Sequence, residues 1–78
     1  MLMASRRVFV RLLNEGTDVW RPTDGEVVTP STVRLSATPG YDSDDEQWEF
    51  LPGTLVECEQ RTFQGGHAGL VAVREVDA

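Results

Sequence analysis

Lysine and isoleucine are missing from the 78 residues, and all seven basic residues are arginine. A codon preference of a GC-rich bacterial genome produces such a bias. The competing reading, forked guanidinium groups needed for paired carboxylates, would point at one place, and a chain-wide bias points at none. Cysteine is nearly absent too. Cys58 stands alone, which excludes an intramolecular disulfide and removes any implication of an oxidising compartment. No stretch approaches the roughly 20 apolar residues needed to span a bilayer. The start, Met1-Leu2-Met3-Ala4-Ser5-Arg6-Arg7, is too poor in apolar residues for a signal peptide. A cytoplasmic location and no membrane association are expected.

Positive charge is scarce. Thirteen Asp and Glu against seven Arg leave a net charge of −6. Nucleic-acid binders usually carry the opposite sign, because phosphate neutralisation supplies most of their non-specific affinity. Arg6, Arg7 and Arg11 could form a local basic patch, but strand alternation sends Arg6 to one face and Arg7 and Arg11 to the other. Aromatic residues are few: three Phe, two Trp and one Tyr. One domain near the lower size limit of a self-sufficient core follows, with no room for a large internal ligand cavity. Catalysis in such a chain would have to sit on its surface, and no enzyme activity and no cofactor are expected.

Helical periodicity is almost absent, and period-two alternation replaces it. Over residues 7–13, Val8, Val10 and Leu12 share one face while Arg7, Phe9, Arg11 and Leu13 share the other. Asn14-Glu15-Gly16 supplies a turn. A short strand over residues 18–21 should stop at Pro22, with Thr23-Asp24-Gly25 as a reversal and a strand over 26–29. Pro30-Ser31 breaks the chain again. Residues 32–37 read as a strand with Val33, Leu35 and Ala37 inward. Residues 41–46 form an acidic loop, followed by a short strand over 47–51 and a Pro52-Gly53 turn. Residues 54–63 are the longest strand, with Thr54, Val56 and Cys58 inward. A Gln64-Gly65-Gly66-His67 hairpin leads into a closing strand over 68–76. There Leu70, Ala72 and Val76 lie on one face, Val71 and Val73 on the other.

The fold class expected is all-β: a small antiparallel five- to six-stranded SH3-like barrel with little or no helix. A sandwich needs more strands and about 100 residues. An OB-fold usually has a helix before its fourth strand, and the only segment available, residues 42–46, is too short. The single barrel domain is placed at residues 6–76, with a flexible tail at 1–5 and a frayed end at 77–78.

Few constellations carry chemistry. Counted from Asp42, the acidic run has Gln47 where a calcium loop needs its glycine and Gly53 where it needs its bidentate carboxylate, so no metal site is expected. Glu57 and Glu59 lie about 7 Å apart on one strand face, which is ordinary for an exposed strand, and a cross-strand ion pair with Arg34 or Arg74 is the expected use. Cys58 and His67 could form a nucleophile–base pair, but Cys58 reads as buried. Gly65-Gly66 precedes no helix and so forms no phosphate-binding loop.

Two tryptophan-centred phrases stand out: Leu13-Asn14-Glu15-Gly16-Thr17-Asp18-Val19-Trp20-Arg21-Pro22, and Glu46-Gln47-Trp48-Glu49-Phe50-Leu51-Pro52-Gly53-Thr54-Leu55-Val56. Val19 and Trp20 must face opposite ways. One tryptophan can be the main core residue while the other plugs an open barrel end. Alternatively, aromatic and acidic residues form a groove for a protein partner, favouring basic ligands through cation–π contact. The candidate partner-binding residues are Trp20, Arg21, Asp44, Asp45 and Trp48. The partner expected is a protein, with the chain a monomer or homodimer. The alternative is a small nucleic-acid- or ribosome-associated module.

The phrases resemble a family of short uncharacterised bacterial proteins with a Glu-Gly-Thr-x-Val-Trp-Arg-Pro start and a Trp-x-Phe-x-Pro-Gly centre. With the strand preceding the first phrase, the resemblance covers most of the chain. It implies a stand-alone bacterial domain and transfers no functional residue.

Overall fold

A computed structural model describes residues 4–16, 19–63 and 66–76. Expectations for residues 1–3, 17, 18, 64, 65, 77 and 78, among them the frayed end and part of the last hairpin loop, lie outside the described residues. The rest is all-β and consistent with a small SH3-like barrel. Five strands, β1 (Ser5–Arg11), β2 (Trp20–Thr29), β3 (Thr32–Leu35), β4 (Leu55–Thr62) and β5 (Ala68–Glu75), form a closed barrel in sequence order. Each neighbouring pair in the chain is antiparallel. An odd number of strands then leaves first and last running the same way, so β1 and β5 close the barrel in parallel, registered at Phe9–Val71.

The core follows the alternation. Val8, Val10 and Leu12 from β1 and its extension, Val33 and Leu35 from β3, and Val56 and Cys58 from β4 are buried with Ala72 and Trp48. Each fully buried aliphatic side chain contributes about 1.5–3 kcal/mol, and one layer of them fills the barrel. Ala37 is exposed rather than inward, because β3 ends at Leu35 and the last ties back to β2 are made by Ser36, whose N–H donates to Asp24 O at 3.0 Å. Val71 is fully buried on the outer face beside Phe9, away from that layer.

Pro22 and Gly25 do not interrupt β2; the strand passes through both. Leu12 N–H donates to Val19 O and Val27 N–H to Ala4 O, each at 2.8 Å, marking the two ends of the β1–β2 ladder. Counting from either end, Phe9–Pro22 falls on a non-hydrogen-bonded pair. The proline nitrogen therefore points away from β1, toward a stretch where β3 has not yet begun: β2–β3 pairing starts at Gly25–Leu35. Gly25 is a close-approach residue rather than a turn. A Cβ there would lie 2.1 Å from Val33 Cγ1. The true reversal is Thr29-Pro30-Ser31-Thr32, where Thr29 Oγ1 accepts from the Thr32 N–H at 3.1 Å.

The strand expected over residues 47–51 reduces to one bridge, Leu12–Trp48. Leu13 N–H donates to Gln47 O (2.7 Å) and Glu49 N–H to Arg11 O (2.8 Å), docking this segment on the end of β1. At Leu51-Pro52-Gly53-Thr54 the Thr54 N–H returns to Leu51 O at 3.1 Å, and Gly53 takes a φ of 93°. This is the type II turn that Pro-Gly specifies. Ser5 already belongs to β1, inside the stretch expected as a tail.

Candidate functional site

At one mouth of the barrel, Trp48 is sealed into the core with 2% of its surface exposed. Its ring meets Tyr41 edge-on at a centroid distance of 4.9 Å, a preferred aromatic geometry. The indole Nε1–H donates to Glu46 Oε1 at 3.1 Å, satisfying the one polar atom of a buried tryptophan. The other carboxylate oxygen, Oε2, accepts from Arg21 Nη2. Hydrogen bonds from Trp48 and Arg21, together with the Arg21 charge, hold the Glu46 carboxyl below its ordinary range. A chain of contacts thus runs Tyr41, Trp48, Glu46, Arg21.

The acidic segment is folded locally. Asp42 O accepts from the N–H groups of Asp45 and Glu46 at 3.0 Å, and Asp42 Oδ1 accepts from the Asp44 N–H at 2.9 Å. This side-chain-to-backbone pattern is how Asp stabilises a turn. Asp42, Asp45 and Glu46 line a cleft of about 290 Å³ together with Arg21, Pro22, Pro39 and Tyr41.

The structure gathers some of the expected site residues and separates others. Arg21 and Asp45 line the cleft. Trp48 lies beneath it and offers no contact surface; its role is to fix Glu46. Trp20 projects from the opposite pleat face of β2, where its ring meets Phe63 edge-on at 5.7 Å. Asp44 is exposed and outside the cleft lining. Tyr41 and Glu46 were not among the sequence candidates. The signal for Glu46 was its place two residues before a tryptophan that needs an acceptor.

Elsewhere, Phe9 and Phe63 rings meet at 4.9 Å over Gly69, where a Cβ would sit 2.7 Å from Phe9 Cε2. Glu57 pairs with Arg74 across β4 and β5, as expected of an exposed strand face. Cys58 is buried, and burial pushes its thiol up. Cys58 pairs with Ala72 and Thr62 with Ala68, so His67, beyond Ala68, sits roughly 15 Å along the hairpin. The two do not meet. Among the described residues no three His, Cys, Asp or Glu side chains converge on a metal position. No helix among them is long and apolar enough to cross a membrane. Compared with protein-family models, with curated proteins and with solved structures, the chain matches none.

Proposed function

We propose that this chain is a non-catalytic, cytoplasmic bacterial protein-interaction module that seats a cationic side chain of its partner in the cleft at the barrel mouth. The observation that carries this reading is the fixed arrangement of the cleft. Glu46 is anchored by Trp48 and Arg21, while Asp42 and Asp45 reach the cleft beside it and Tyr41 supplies an aromatic wall. Three carboxylates against one guanidinium favour a cation, and an aromatic ring adds to that preference. A binding experiment with an Arg-Pro-rich peptide tests it. Asp42→Asn/Asp45→Asn should bind several-fold more weakly than wild type, with Asp44→Asn unchanged. Equal binding by the Asp42/Asp45 variant would sink the proposal.

One observation favours a second reading, a nucleic-acid-associated module. β1, β4 and β5 together hold five arginines against three glutamates in a chain that is acidic as a whole. Arg7, Arg11 and Arg61 stand on the outer pleat face that also carries Phe9, Phe63 and Trp20. Aromatic rings among cations suit stacked bases and phosphates. A labelled single-stranded oligonucleotide that binds at low salt and releases steeply as salt rises would support this reading. No binding at low salt ends it.

A further inference from the structure

The mouth cleft has a neighbour. A second cleft, of about 460 Å³, is lined by Arg7, Asp24 and Ser36 and shares Pro22, Thr38 and Pro39 with the first. Both follow from the divergence of two segments. β2–β3 pairing starts at Gly25–Leu35, and Ser36 makes the last ties to β2. Residues 37–41 then leave β2, while residues 20–23 of that strand stay paired with β1.

The two clefts carry different charge. The first holds Asp42, Asp45 and Glu46, with Glu46 paired to Arg21. The second holds Arg7, whose Nε makes a long contact with Asp24 Oδ1, at 3.4 Å, between side chains 64% and 66% exposed. A pair so long and so wet contributes little. The two terminal nitrogens of the Arg7 fork stay available to a further carboxylate. Arg7 is registered with Asp24, three residues along β2 from Arg21. At the usual strand rise this separates the cation-seeking and anion-seeking ends by roughly 10 Å.

We propose that the two clefts form one bipartite site for an extended peptide segment carrying an arginine and a glutamate three residues apart. The arginine enters the mouth cleft, the glutamate meets Arg7, and the segment straddles the rim of Pro22 and Pro39 between them. Polyproline II conformation fits this demand. Its three residues per turn bring positions i and i+3 to one side, about 9 Å apart, whereas a β-extended segment sends them to opposite faces. The inference rests on the proposed reading of the mouth cleft as a cation seat and adds the chemistry of the second contact.

The test is an NMR titration of the full chain with capped Gly-Arg-Pro-Pro-Glu-Gly and its reverse, Gly-Glu-Pro-Pro-Arg-Gly. Each is paired with a version carrying Gln for Glu and a version with a third proline between the charges. One order should shift the Arg7 Nε–H resonance and bind several-fold more tightly than its Gln and three-proline versions. Arg7→Gln, at an exposed position, should erase that difference while binding the Gln version as wild type does. Asp42→Asn/Asp45→Asn should weaken all versions alike, because the cation seat is common to them. Equal binding of Glu and Gln versions in both orders overturns the proposal and leaves the cation seat standing. A three-proline version that binds as well as the original also overturns it, as does a Glu preference that survives in Arg7→Gln. No binding by any of the peptides removes both this proposal and the cation seat.

Discussion

Glu46 is a small residue of the chain's chemistry with two fixed obligations, one to Trp48 and one to Arg21. Both favour the ionised form, and its folded-state pKa lies below the unfolded value. A depressed carboxylate contributes stability that is fully present above the unfolded pKa and disappears as pH falls through the folded one. Acidification from the ordinary carboxylate range downward should therefore lower the melting temperature. In Glu46→Gln that part of the decline should flatten, because the amide does not titrate. Identical pH profiles for the two proteins would refute the assignment. Gly25 is equally constrained by a different force. Its absent Cβ leaves room for Val33, which is buried and branched at Cβ and cannot swing aside. Gly25→Ala should cost about 1–3 kcal/mol in denaturant unfolding. Gly69→Ala should cost less, since the half-exposed Phe9 and Phe63 rings can shift outward.

At the scale of the elements, Pro22 tests the register argument. Its nitrogen faces a stretch without a strand partner, so Pro22→Val should stay within about 0.5 kcal/mol of wild type. Thr23, one residue on, is buried and donates its Oγ1 hydrogen to Ser36 O. Thr23→Val should cost about 1–2 kcal/mol by leaving that carbonyl unsatisfied. Equal effects at the two positions would mean that the register is wrong. The same two neighbours show how far the sequence could be read. Val8, Val10, Val33, Leu35, Val56 and Cys58 declared their inward faces by alternation alone. Proline and Asp-Gly were read as breaks because local rules say so, yet whether a strand tolerates them depends on which neighbour each backbone group faces. That is a tertiary fact. The candidate site was half legible for a similar reason. Arg21 and Asp45 were identified, but alternation could not say which tryptophan the barrel would enclose. The partnership of Tyr41, Glu46 and Trp48 is set by where residues 47–49 dock on β1.

For the molecule as a whole, four hairpin-like pairings join strands adjacent in sequence and one closure joins the first to the last. Loop-closure entropy makes the distant pairing the slowest contact to gain. Val71→Ala, at the closure, should therefore speed unfolding far more than it slows folding, while Val33→Ala, central to β2, β3 and β4, should slow folding appreciably. Chevron analysis decides between them, and a Val71 variant that mainly slows folding would place the closure in the nucleus instead. Parallel closure also gives the barrel a polarity. Because β1 and β5 travel in the same direction, the chain enters at one end and leaves at the other. Copies joined in tandem by short linkers must then follow head to tail, whereas a circular permutant needs a bridge spanning the whole barrel.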